Sequence, residues 1–124
     1  MSRWWPHRRG AAGERAAEKF LKSHGVAILA RNFSCPLGEI DLIGVERNTI
    51  IFFEVKTRES DAAADPEDSI RLGKQQRLHR AAQTWLARHK QPKASYRFDA
   101  VSVLLSDSGE TDIRWIRDAF RPSR

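Results

Sequence analysis

Residues 38–58, GEIDLIGVERNTIIFFEVKTR, carry the clearest structural pattern in the chain. The apolar residues on either side of 46–48 predict two antiparallel β-strands joined by a tight turn. The second strand is apolar on both faces in its first half, which is typical of a central strand covered on both sides. Asp41, Glu54 and Lys56 interrupt these segments, although charged side chains are rarely buried unless they are paired or bind something.

The spacing of these three charges predicts that they converge. Residues two apart in a strand share a face, so Glu54 and Lys56 emerge together near the end of the second strand. If the turn has an even number of residues, Asp41 pairs directly with Glu54, with Cβ atoms about 5 Å apart. Lys56 can neutralise only one of two carboxylates, whereas a divalent metal resolves the repulsion. An odd-length turn or a bulge would instead leave solvated surface charges.

Composition indicates one soluble globular domain. The 124 residues are 40% hydrophobic and 31% charged, which is enough for a core and too apolar for general disorder. We expect a cytoplasmic protein with no membrane partner, because no apolar run approaches the roughly 18 residues that span a bilayer and no secretory signal is evident. The single cysteine, Cys35, excludes an internal disulfide. A net charge of +6 favours a polyanionic partner such as nucleic acid.

Hydrophobic periodicity predicts two helices and five strands. In chain order they are a helix at 11–24, strands at 26–31, 39–45 and 49–57, a helix at 70–89, and strands at 96–105 and 112–116. The order α-β-β-β-α-β-β predicts an α/β fold in which a mixed sheet is flanked by helices. We divide the chain into a basic flexible arm (1–10), a single domain (11–118) and a C-terminal tail (119–124), with an acidic loop at 59–69 inside the domain.

The charged residues lie in blocks that resemble a known family. Asp41, followed by Glu54-Val55-Lys56 at the end of an apolar strand, resembles the PD-(D/E)xK nuclease core, although no Pro-Asp dipeptide stands at Asp41. With G-E-R-x-A-E near the start, G-E-I-D-L-I, F-F-E-V-K-T-R and a later R-F-D, the chain resembles the YraN-like family. This bacterial group is predicted to share the fold of archaeal Holliday-junction resolvases. The resemblance covers roughly residues 10–117 and implies a restriction-endonuclease-like core.

The resemblance also implies a site and its chemistry. Asp41 and Glu54 would bind Mg²⁺ or Mn²⁺ together with the Val55 carbonyl. Lys56 would hold the attacking water or stabilise charge that develops on the phosphate.

A further acid on the first helix belongs to such a site by the same resemblance. Glu14, in the G-E-R block, is the first choice, and Glu18, one turn along the same face, is the reserve. Alternatively, Glu14 is only an N-terminal acid that complements the helix dipole. Asp99 matches another family block, and for this residue we expect a structural hydrogen bond.

Basic and polar residues supply candidate contacts to DNA phosphates, which make binding sensitive to salt. The candidates are Arg8, Arg9, Arg31, Arg58, Lys74, Gln75 and Arg77. Lys74 and Gln75 open the second predicted helix, where a solvated first turn is the simpler interpretation. The tryptophans of the arm could stack on unpaired bases, or the arm is simply a disordered terminus.

Two functions are compatible with this pattern. The intact Asp41, Glu54 and Lys56 favour a metal-dependent endonuclease that hydrolyses DNA phosphodiester bonds, with branched or junction DNA as a substrate. The alternative is a nucleic-acid-binding protein of the same fold with little or no cleavage activity. A junction resolvase implies a homodimer, because a four-way junction needs two symmetric cuts. The apolar side chains within 113–116 would provide a seam, although core packing is the commoner fate of such residues.

Overall fold

A computed structural model describes residues 7–59, 72–91 and 93–122 of the chain. The elements are α1 (His7–Ser23), β1 (Ala27–Cys35), β2 (Gly38–Glu46), β3 (Thr49–Glu59), α2 (Leu72–Arg88), β4 (Ser95–Leu105) and β5 (Thr111–Phe120). Their order is the predicted α-β-β-β-α-β-β. The α/β fold is therefore confirmed, and its mixed sheet flanked by two helices is consistent with a restriction-endonuclease-like core.

Some predictions concern parts of the chain outside the described residues. The tryptophans of the arm lie there, as do nearly all of the acidic loop at 59–69 and the side chains of Arg8 and Arg9. Helix α1 begins at His7, four residues before the predicted start and within the segment predicted as the arm.

The five strands form one sheet in the order β1-β2-β3-β4-β5. Strands β3 and β4 run parallel, and the other neighbouring strands are antiparallel. Helix α2 lies between β3 and β4 in the chain, as a parallel pair requires a long crossover connection. Glu46 pairs with Thr49, so the β2–β3 turn contains two residues, Arg47 and Asn48. The even-length turn on which the convergence of Asp41 and Glu54 depended is therefore present.

Each face of the sheet carries an apolar cluster covered by one helix. The α2-side cluster contains Ile40, Ile43, Ile50, Phe52, Leu78, Ala81, Ala82, Trp85, Leu86 and Phe98. The α1-side cluster contains Ala17, Leu21, Val26, Leu42, Ile51, Phe53, Val101 and Val103. Phe52 and Phe53 send one ring into each cluster, and both are almost fully buried. This placement confirms β3 as a central strand. Separately, neither described helix is long and apolar enough to cross a membrane.

Strands β1 and β2 bend together near their middle. Ile40 and Ile43 lie in the α2-side cluster, whereas Leu42 lies in the α1-side cluster. Strict alternation would put residues 40 and 42 on the same face. Asn32, opposite Asp41 in the strand register, has a left-handed φ of 51°. The bend at these two positions changes which face the following side chains occupy.

The edge strand β5 is packed against the rest of the sheet more extensively than the sequence indicated. Ile113 and Trp115 contact the α1-side cluster, which supports their interpretation as core residues. Phe120, four residues beyond the predicted strand end, pairs with Phe98, and the two rings stack with centroids 5.1 Å apart. A left-handed residue, Asp118 with φ of 52°, precedes this contact.

Candidate functional site

Strands β2 and β3 separate near the middle of β3, and the candidate site lies in this fork. Their paired register ends at Leu42 and Phe53. The earlier part of β2 remains paired with β1, while β3 remains paired with β4 as far as Glu59. Asp41 and Glu54 would form the next pair, so both acids stand where the fork opens. Asp41 and Glu54 therefore do not form a ladder pair as predicted. They lie one residue beyond the last pair, Leu42 and Phe53.

The Asp41 side chain bridges the fork to the backbone of β3. The Val55 amide donates a hydrogen bond to Asp41 Oδ2 over 2.7 Å, in place of a ladder bond from β2. The N–H and C=O groups of one strand residue point toward the same neighbouring strand. The Val55 carbonyl therefore faces the side of β3 on which Asp41 lies, where the family resemblance expects a third metal-binding oxygen.

Crowding of acids changes the electrostatics of Asp41. Burial among protein atoms raises the pKa of Asp41 to about 7, even though part of the residue reaches solvent, and Glu54 adds to this increase. Glu14 contributes in the same direction, while the Val55 hydrogen bond and Lys74 lower the pKa. Glu54 is itself only 7% exposed. Carboxylates so placed favour a bound cation.

Helix α1 directs Glu14, and not Glu18, toward these acids. Burial raises the pKa of Glu14, and the Glu54 carboxylate adds to the increase, whereas a hydrogen bond with Asn32 opposes it. Glu18 instead accepts two hydrogen bonds from the Arg31 guanidinium. This pairing lowers the pKa of Glu18 to about 2. Glu14, the first choice from the sequence, therefore lies at the site. Glu18, the reserve choice, forms an ion pair with Arg31 instead.

Helix α2 brings a cation to the opposite side of the fork. Lys74 Nζ forms an ion pair with Glu54 Oε2, and the two side chains are 47% and 9% exposed. Lys74 therefore lies in a solvated first turn, as the simpler interpretation has it, and its ammonium also contacts Glu54. Gly38 permits the close approach of α2, because a Cβ at that position would lie 2.7 Å from the Arg77 carbonyl oxygen.

The remaining predicted residues divide into two groups. Lys56 and Arg58 follow Glu54 on the same face of β3 and are partly buried, while Gln75 and Arg77 continue the first turns of α2 beside Lys74. These residues are the sequence neighbours of Glu54 and Lys74. Arg31 forms the second group, because Glu18 already engages its guanidinium.

The oxygen atoms of the fork that could bind Mg²⁺ are few. Among the described residues, no group of three or more His, Cys, Asp and Glu side chains is arranged to hold a metal ion. Magnesium, however, commonly uses one or two carboxylates and keeps several waters. Asp41 and Glu54 supply that number, with the Val55 carbonyl beside them. Lys74 occupies one Glu54 oxygen, so the residues fit such an ion once this contact opens.

A second buried acid, Asp99, has a structural role, as expected. Its carboxylate accepts hydrogen bonds from the Arg97 guanidinium, from Trp115 Nε1 over 2.8 Å and from the Asp118 amide over 2.8 Å. These contacts tie β4 to β5, and the residue is fully buried.

Sequence reasoning missed Asn32 as a part of the site. Its side chain contacts Glu14, and its left-handed backbone lies at the bend opposite Asp41. The available signal was an asparagine inside an apolar, strand-like segment, since Asn adopts this conformation more readily than most residues.

The fold and the fork define an α/β protein with a restriction-endonuclease-like core and a cluster of acids at the edge of its central strand. Residues 13–103, which include every acid of the fork, match the model of a family described as Uncharacterised protein family UPF0102. The chain belongs to this UPF0102, or YraN-like, family.

Relatives with the name UPF0102 protein occur in diverse bacteria. The protein of Caldicellulosiruptor saccharolyticus is 46% identical over 112 residues, covering 90% of this chain and 95% of the relative. The Geotalea daltonii protein is 42% identical over 111 residues, covering 90% and 87%. The Nocardia farcinica protein is 40% identical over 111 residues, with the same coverage. The similarity extends over nearly the whole length of each protein.

Proposed function

We propose that this protein is a metal-dependent endonuclease that hydrolyses DNA phosphodiester bonds, with branched or junction DNA as its substrate class. The observation that carries the proposal is the convergence of acids in the β2–β3 fork. Burial raises the pKa of Asp41 to about 7, the Glu54 carboxylate adds to this increase, and Glu14 approaches the two acids from α1. The Val55 carbonyl faces the same side. Hard oxygen donors of this kind are the ligands of Mg²⁺ and Mn²⁺.

Each residue of the fork has a definable task in such a reaction. Asp41 and Glu54 would hold the metal with the Val55 carbonyl, and the hydrogen bond from the Val55 amide fixes the orientation of Asp41. Glu14, anchored by Asn32, would orient a water molecule at the rim. When bound, the ion supplies polarisation of the scissile phosphate and a lower pKa for the attacking water.

Lys56 would act on the negative charge that develops on the phosphate during cleavage. It lies two residues beyond Glu54 on the same face of β3 and is partly buried. Its compact ammonium would hold the attacking water or stabilise negative charge on the phosphate. Lys74, Arg77 and Arg58 would add phosphate contacts beside it, so binding should weaken steeply with salt.

The alternative function is DNA binding with little or no cleavage. The Lys74–Glu54 ion pair favours it, because this contact neutralises a buried acid without a metal. The two functions differ in one measurable property, which is cleavage of the DNA backbone that depends on a divalent cation.

A cleavage assay tests the proposal. Purified protein is offered duplex, single-stranded, flapped and four-way-junction DNA with MgCl₂ or MnCl₂, beside Lys56→Ala and Lys93→Ala. We expect metal-dependent cutting by the wild type and a loss of about 100-fold or more in Lys56→Ala, as for removal of a group that stabilises transition-state charge. Lys93→Ala, which changes an exposed lysine just before β4, should cut normally.

Two results would contradict the proposal or redirect it. Salt-sensitive binding without cutting on any substrate would favour the binding protein. Equal cutting by the wild type and Lys56→Ala would indicate a contaminating nuclease or a misassigned site. Preference for the four-way junction should be accompanied by two protomers per junction in sedimentation experiments, because two symmetric cuts require two sites.

A further inference from the structure

The acids of the fork are held together by a cation that belongs to the protein itself. Lys74 Nζ contacts Glu54 Oε2, and the same ammonium lowers the pKa of Asp41. Repulsion among Asp41, Glu54 and Glu14 would otherwise act within a partly buried site. The lysine thus does in part what a divalent cation would do there.

The position of Lys74 allows this contact to be broken at low cost. Its side chain is 47% exposed, whereas that of Glu54 is 9% exposed. The ammonium therefore approaches Glu54 from the solvent side, and the half-exposed side chain can turn outward from the first turn of α2. Glu54 has no such freedom, because it lies on a central strand.

We propose that Lys74 is an exchangeable cation, which holds Glu54 in the metal-free protein and moves to a DNA phosphate when a metal takes its place. This inference rests on the proposed function and specifies how the same site is regulated. Metal and Lys74 compete for one Glu54 oxygen, so the lysine lowers the affinity of the empty site for metal. Once released, its ammonium is available for a phosphate, and metal and DNA therefore favour each other's binding.

Metal affinity provides the first test. Binding of Mn²⁺ without DNA is measured by titration calorimetry for the wild type, Lys74→Met, Lys74→Arg and Lys93→Met. We expect Lys74→Met to bind Mn²⁺ on the order of tenfold more tightly, because it loses both the competing contact and a neighbouring positive charge. Lys74→Arg, which keeps the charge, should remain close to the wild type. Lys93→Met, a matched loss of charge away from the fork, should also be unchanged.

The outcomes separate this inference from the proposed function. Tighter binding in Lys74→Met alone supports the exchange. Equal or weaker binding in Lys74→Met, with clear Mn²⁺ binding by the wild type, would overturn the exchange and leave the metal site standing. Absence of Mn²⁺ binding from every variant would overturn both. Circular dichroism of each variant establishes that the changes do not arise from misfolding.

DNA binding provides the second test, in a Lys56→Ala background that keeps the DNA intact. The slope of log affinity against log salt concentration is compared with and without Lys74→Met. In EDTA, where Lys74 is bound to Glu54, the substitution should leave the slope almost unchanged. In Mn²⁺ it should reduce the slope by about 1, the value of one phosphate contact. A reduction of the same size in both conditions would overturn the exchange.

Discussion

The side chain of Asp41 has one stabilising and one destabilising effect on the fold: it accepts a hydrogen bond across the fork, and its negative charge is unfavourable there. As an acceptor for the Val55 amide it holds the two strands of the fork in place. As a carboxylate that is buried and lies beside Glu54 and Glu14, it resists ionisation. The hydrogen bond from the Val55 amide needs only an oxygen atom on residue 41, whereas the unfavourable effect depends on the negative charge. A substitution that keeps the oxygen and removes the charge therefore separates them.

The pH dependence of Asp41→Asn tests this separation. The pKa of Asp41 is raised from its ordinary value of 3.8 to about 7, so between these pH values the folded protein binds more protons than the unfolded chain. The free energy of unfolding then decreases as pH rises from about 4 to 7. Asp41→Asn removes this decrease in the free energy of unfolding, because asparagine does not ionise. In EDTA it should be more stable than the wild type above pH 7, by up to about 4 kcal/mol, with little difference near pH 4.

Urea unfolding of both proteins between pH 4 and pH 8.5 measures this effect. Asp112→Asn, which removes an exposed carboxylate of β5, is the control and should follow the wild-type profile. If the wild type and Asp41→Asn gave parallel profiles, the carboxyl group of Asp41 would not be crowded as the structure shows.

At the scale of elements, the position of α1 depends on a glycine. A Cβ at Gly13 would lie 1.8 Å from Thr57 Oγ1, so the helix touches the end of β3 directly at this residue. Glu14 follows immediately, and its approach to the fork requires this close contact. Gly73, in the first turn of α2, has open space around it, with Arg77 Nη1 as the nearest atom at 3.8 Å.

The two helical glycines make a matched pair for mutation. Gly13→Ala should lower the free energy of unfolding by about 1–3 kcal/mol, because overpacking forces the helix away from β3. Gly73→Ala should be neutral or slightly stabilising, since alanine is the better helix former. Urea unfolding of both variants measures the difference. Adding Thr57→Ala should recover part of the loss at Gly13, and equal behaviour of both glycine variants would argue against the α1–β3 contact.

Element boundaries show where local sequence patterns stop being informative. The predicted first strand ends at Arg31, whereas β1 continues to Cys35. The left-handed Asn32 shifts the following side chains to the other face, so the alternation no longer looks like one strand. Near the C-terminus, Asp118 has a similar backbone conformation, and β5 resumes to place Phe120 on Phe98. Both extensions are stabilised by pairing with a neighbouring strand, which the periodicity of the segment itself does not reveal.

At the scale of the whole molecule, the site is assembled from both faces of the sheet. Glu14 comes from the helix that covers one face, and Lys74 comes from the helix that covers the other. Lys74 contacts Glu54, and Glu14 interacts with it electrostatically, where β2 leaves β3. Binding of a metal in the fork should therefore stabilise the complete fold, and not only a local segment.

Thermal unfolding at pH 8 measures this stabilisation. Mn²⁺ at 100 times its dissociation constant should add about 2.7 kcal/mol to the free energy of unfolding. Asp41→Asn should lose most of this increment, because it removes a charged ligand. Asp99→Asn should be less stable than the wild type, as it disturbs the contacts with Arg97 and Trp115, yet should keep the increment. Loss of the Mn²⁺ increment in Asp99→Asn, or its retention in Asp41→Asn, would contradict this location of the site.

Local patterns predict the order of elements and the central strand, and they place Asp41 and Glu54 where an even-length turn brings them close together. These features follow from apolar periodicity and from the length of one turn, which are properties of short segments. In the folded protein Glu14 approaches the acids while Glu18 binds Arg31, and Lys74 pairs with Glu54; no short segment shows these choices. Those choices depend on how each helix docks on the sheet, and docking is governed by contacts between residues far apart in the chain.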